Sequence, residues 1–131
     1  MITLQRGGCE RRCAVYKLIL FADGTLIYDG QYYVRRSGLV LDKVDVATIK
    51  ALIHDFEAIG YFGLRDQYGY KDEEGCTDVA SDAPVAMTSI VTGGKSKGII
   101  HHHRCRGVVP EQLTQLEDKI DKAANAIRWI K

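Results

Sequence analysis

The chain has 131 residues and a mass of 14.6 kDa, enough for one domain with one core spanning residues 1–131, and its 46% hydrophobic content excludes a disordered protein. A formal net charge of +1 gives no field to gather nucleic acid or anionic lipid, so no nucleic-acid partner is expected. No apolar run approaches the roughly 18 residues of a spanning helix, and Met1 to Gly8 lack the basic start and apolar centre of a signal peptide.

Ile2, Leu4 and Arg6 alternate with Thr3 and Gln5 as in a short strand, and Val15 to Phe21 follow as a β-branched and aromatic run. Ala22-Asp23-Gly24-Thr25 reverses the chain, Leu26 to Tyr28 form a third strand, and Asp29-Gly30 is expected to turn into a fourth, Gln31 to Arg35. From Asp45 to Ile59 the residues Val46, Ile49, Leu52, Ile53, Phe56 and Ile59 recur at helical spacing, with Asp45 placed to cap the first amides and Gly60 to stop the helix. Arg65 to Asp82 read as a long polar loop without period. Pro84 to Thr92 and Lys97 to His103 read as a hairpin around Gly93-Gly94. Pro110 opens a final helix that turns Leu113, Leu116, Ile120, Ala123 or Ala124, and Ile127 inward. The order ββββ-α-ββ-α predicts an α+β fold, a mainly antiparallel sheet with two helices packed on one face. The other face is then partly solvated, and tyrosines there are candidate contacts for a protein or small ligand.

These elements and their landmarks resemble a bacterial family known as domain of unknown function 6438, over nearly the whole chain. The matching residues are Cys9, Cys13 and Tyr16, then Asp23-Gly24, Cys76-Thr77-Asp78, and His101 to Cys105 with Gly107, closed by Pro110, Leu113, Leu116 and Trp129. Arg11 and Ala14 stand where family members often carry Gly and Pro. The resemblance implies an exported or lipid-anchored protein, periplasmic or secreted, whose leader is absent from this chain and whose full precursor carries a possible lipid anchor. It brings no activity. With reduced cysteines the chain would instead be cytoplasmic.

In an exported chain Cys76 and Cys105 would tie the long loop to the last strand, and Cys9 and Cys13 would close a small ring. Other pairings, such as Cys9 with Cys105, stay open, and so does a zinc site built from thiolates or from imidazoles of the histidine run. On a strand His101 and His103 share one face, a known metal-binding element, but spacing fixes no carboxylate beside them and strong metal binding is not expected. His54 lies off the apolar stripe and is expected to be exposed. The acids between Asp66 and Asp82 do not match a calcium loop; Asp78 alone is a candidate anchor or ligand beside Cys76. Arg11, Arg12, Arg104 and Arg106 flank cysteines and would form a small basic patch if the framework gathered them.

No nucleophile elbow, phosphate-cradling loop, dinucleotide fingerprint or HExxH motif is present, and no cofactor is expected. Cys105 lies two residues from His103, a same-face neighbour rather than an aligned nucleophile and base. The leading expectation is a non-enzymatic, disulfide-stabilised binding or envelope-associated module. A metal-binding protein with Cys or His ligands is second, and a thiol-dependent or hydrolytic enzyme third.

Overall fold

A computed structural model describes residues 1–9, 12–69, 84–104 and 106–131. The fold is α+β. Among the described residues seven strands, β1 (Ile2–Arg6), β2 (Val15–Leu20), β3 (Thr25–Tyr32), β4 (Gly38–Lys43), β5 (Gln67–Tyr68), β6 (Val85–Thr92) and β7 (Lys95–His102), form one sheet in the order β4-β3-β2-β1-β6-β7-β5. Every pairing is antiparallel except β5 with β7. Helix α1 (Val46–Ala58) separates the meander from the second hairpin, and α2 (Val108–Ala124) and the short α3 (Ile127–Ile130) close the chain.

Strict alternation along the strands sorts the sheet into two faces. On one face Ile2, Leu4, Leu18, Leu20, Leu26, Tyr28, Ile90 and Ile99 are buried in one cluster with Ile49, Leu52 and Phe56 of α1 and Leu113, Leu116 and Ile120 of α2. Thr88 lies in this apolar setting and is satisfied by Tyr61, whose hydroxyl is 2.7 Å from Thr88 Oγ1. Burial pushes the Tyr61 hydroxyl up to about 12. Tyr32, Tyr33, Leu39 and Leu41 are exposed.

Several expectations need correction. Asp29-Gly30 is not a turn, because β3 runs through it to Tyr32; the reversal begins at Tyr33, which has φ 54°, and the next strand is Gly38–Lys43. Gly30 is instead the place where other atoms come close. A Cβ there would collide with the Arg36 carbonyl and the Tyr28 hydroxyl, which are joined by a 2.7 Å hydrogen bond. Ile127 is 61% exposed rather than core, since Asn125 takes a left-handed conformation, ends α2 and resets the register. Ala126 and Trp129 are buried in its place, Trp129 stacking on Tyr28 at 4.6 Å. Val46 is also exposed, at 43%, and Asp45 sits at the N-cap without a side-chain bond to the helix. The polar stretch after Arg65 contributes the two-residue strand β5.

The turn at Asp23-Gly24, the stop at left-handed Gly60, the Gly93-Gly94 hairpin and the exposed His54 stand as read from the sequence. α2 begins at Val108, two residues before Pro110, which the first turn tolerates because its amides have no intrahelical acceptor. Among the described residues, no helix is long and apolar enough to cross a membrane.

Leu116→Ala is expected to lower unfolding free energy by about 2 to 5 kcal/mol, read from a urea titration. Raising the folded-state value of Tyr61 makes its neutral form a source of stability that is complete below about pH 10 and lost as pH rises towards about 12. An alkaline titration followed by tyrosinate absorbance is expected to show Tyr61→Phe losing less stability than the parent over that window.

Candidate functional site

Apart from Thr88, the buried face of the sheet is apolar except along one row. Tyr16 on β2, Arg6 on β1, Ala86 on β6 and His101 on β7 are successive cross-strand neighbours. Helix α2 meets this row with Glu117 and Asp121, which lie four residues apart and so on one helical face. Ala86 keeps the middle of the row short between the two long side chains.

Glu117 joins both histidines. His101 Nδ1 is 2.7 Å from Glu117 Oε2, and His103 Nε2 is 2.7 Å from Glu117 Oε1. The two imidazoles stack with centroids 4.2 Å apart. The His103 amide donates to the Pro84 carbonyl at 3.0 Å, which holds this residue just past the end of β7. The Glu117 and His101 side chains are 1% and 2% exposed and that of His103 is 18%. His101 Nε2 is buried and finds no hydrogen-bond partner among the described residues. A neutral His101 therefore carries its proton on Nδ1, facing the carboxylate, because a proton on Nε2 would be buried unpaired.

Arg6 extends the cluster. Its Nη1 is 3.7 Å from Glu117 Oε1, and its Nε and Nη2 donate to Asp121 Oδ2 at 3.2 and 2.7 Å. Nη2 also reaches the exposed Asp118 at 3.2 Å. The Tyr16 hydroxyl donates to Asp121 Oδ1 at 2.6 Å. Burial alone would push the Glu117 carboxyl up, but hydrogen bonds from His101 and His103 outweigh it and hold it below the usual carboxylate range. Burial and the Asp121 carboxylate push the Tyr16 hydroxyl well up. Burial also works against the charge of Arg6, and the neighbouring Asp121 more than compensates. Glu117 and Asp121 bring two negative charges and Arg6 one positive charge. Leaving the imidazoles aside, these three groups carry one net negative charge.

His101, His103 and Glu117 each offer a ligand atom, and these atoms lie within 4.8 Å of one another. The structure thus brings together the two histidines singled out in the sequence and adds the carboxylate that spacing did not supply. A signal for it exists. Glu117 falls between Leu116 and Ile120 on the buried stripe of α2, where an acid needs a partner. Cys9 and Cys13 form a disulfide with Cα atoms 5.7 Å apart, so neither is free to ligate metal. Cys76, Cys105 and Asp78, with the expected Cys76–Cys105 link, lie outside the described residues. Of the arginines flanking cysteines, Arg106 borders a cavity beside the two imidazoles, whereas Arg11 is not described.

A family model described as Domain of unknown function (DUF6438) matches residues 1–124. No curated protein and no solved structure matches the chain.

Arg6→Met removes the cation between two inward-facing carboxylates and is expected to cost about 3 to 5 kcal/mol in a urea titration. Tyr16→Phe leaves Asp121 paired with Arg6 and is expected to cost only about 1 kcal/mol.

Proposed function

The chain belongs to the family of domain of unknown function 6438, whose description carries no activity, and we propose that it is a non-enzymatic binding domain that holds a divalent transition-metal ion at His101, His103 and Glu117. The observation that carries this reading is the convergence, within 4.8 Å, of ligand atoms from His101 near the end of β7, His103 in the turn just after it, and Glu117 on α2. Two histidines and a glutamate form a ligand set used by zinc and other first-row ions, and ligands on regular elements, as His101 and Glu117 are, are held more firmly than ligands on loops. A bound ion would also offset the net negative charge of Arg6, Glu117 and Asp121.

The fit needs a small adjustment. An ion about 2.0 to 2.1 Å from each ligand holds the ligand atoms roughly 3.3 Å apart, so the 2.7 Å contacts to Glu117 widen while the wider separations, now up to 4.8 Å, close. Ligation through Nδ1 moves the His101 proton to Nε2. That nitrogen has no partner among the described residues, which makes the site weaker than one whose imidazoles are oriented from behind.

The setting we propose is extracytoplasmic, periplasmic or secreted. The Cys9–Cys13 disulfide supports it, because such bonds persist in oxidising compartments.

Isothermal titration of untagged protein with zinc is expected to show one equivalent bound per chain. Glu117→Gln and His103→Ala are each expected to weaken binding by roughly 100-fold or more. His103 is the less buried ligand, and near-ultraviolet circular dichroism of its variant confirms that the fold persists. Absence of stoichiometric binding by the folded parent would reduce the cluster to an ion-pair network that fixes α2 on the sheet.

A further inference from the structure

A cavity of about 250 Å³ opens beside the proposed centre, walled by His101, His103, Arg106, Pro110, Glu111 and Thr114. Both imidazoles border it, so a group in the cavity would approach an ion held by them and Glu117 from the imidazole side. Three protein ligands leave a coordination position open to an external group. Arg106 stands at the rim, exposed, and no ion-pair partner is found for it among the described residues. The cavity also meets the first turn of α2, a 17-residue helix whose N-cap, Gly107, provides no side-chain cap, so the positive end of the helix dipole adds to the same field.

The lining discriminates among anions. The Thr114 hydroxyl donates to the Pro110 carbonyl at 3.0 Å, so its proton is already used. Glu111 contributes a negative charge to the wall. Counting the ion's two positive charges with Glu117, Arg106 and Glu111, the centre carries about one net positive charge, which a singly charged anion neutralises.

We infer that this cavity binds a small monocarboxylate, one oxygen on the metal ion and the other paired with the guanidinium of Arg106. The inference rests on the metal-binding reading above and names the ligand class of the same site. Arginine matches a carboxylate through a planar fork of donors, which makes it the specific element of the recognition.

The test uses the untagged full chain loaded with cobalt(II), whose visible spectrum reports coordination. Acetate is expected to change the cobalt bands saturably, and phosphate to compete poorly. Arg106→Ala, an exposed change outside the ligand set, is expected to weaken acetate binding by roughly tenfold or more while leaving cobalt affinity unchanged. Glu111→Gln is expected to raise the affinity for phosphate. Cobalt bound with no response to acetate, or equal acetate affinity in Arg106→Ala, overturns the inference and leaves metal binding intact. Failure of cobalt to bind overturns the metal reading and this inference together.

Discussion

The contact between α2 and the sheet turns on a carboxylate placed where hydrophobic packing alone would not put one. Glu117 sits between Leu116 and Ile120 and is 1% exposed, and its charge is sustained by His101 and His103, which each present a ring nitrogen to one of its oxygens, with the Arg6 guanidinium nearby. Arg6 ties the same helix to the central strand through Asp121, and Tyr16 fills the remaining oxygen of that acid. Apolar stripes tolerate rotation and sliding, whereas this set of bonds is satisfied in one placement of α2. Removing water from such groups offsets much of their attraction, so their contribution lies more in specifying the helix position than in net stability.

The same requirement explains why the candidate centre is assembled from distant parts of the chain. β7 supplies one imidazole and the residue after it the other, β1 the guanidinium, β2 the phenol and α2 the two acids. A structural ion-pair network and a metal centre share this architecture, since both need buried charge with fixed partners. On the metal-binding reading we propose, the cavity on the imidazole side gives an external group access to the centre.

Much of the sheet was legible because alternation is a local property. Ile2, Leu4, Leu18 and Leu20 declare the buried face by themselves, and Gly60 marks the end of α1 by its conformation. Gly30 misled because its small size serves a close approach by Tyr28 and Arg36, a fact of tertiary structure that looks like turn chemistry in sequence. Ile127 misled because one left-handed residue, Asn125, shifts every later position around the helix axis. Of the site, the shared face of His101 and His103 was legible and the carboxylate was not. Its spacing of 14 and 16 residues from them crosses a connection, and helical period says which side Glu117 is on without saying which strand lies opposite.

β1 lies in the middle of the sheet with a near neighbour on one side and a distant one on the other. It pairs with β2 across a short connection, but its second edge is covered by β6, whose Ser89 meets Thr3 at a separation of 86 positions. During synthesis the meander of β1 to β4 emerges first and presents the open edge of β1 until most of the chain has followed. Closing so long a loop before the reward of pairing makes folding slow for the size of the protein, and an uncovered hydrophobic strand edge invites association with other chains in the interval. Quality control of this molecule therefore concerns the time between its first strand and its sixth.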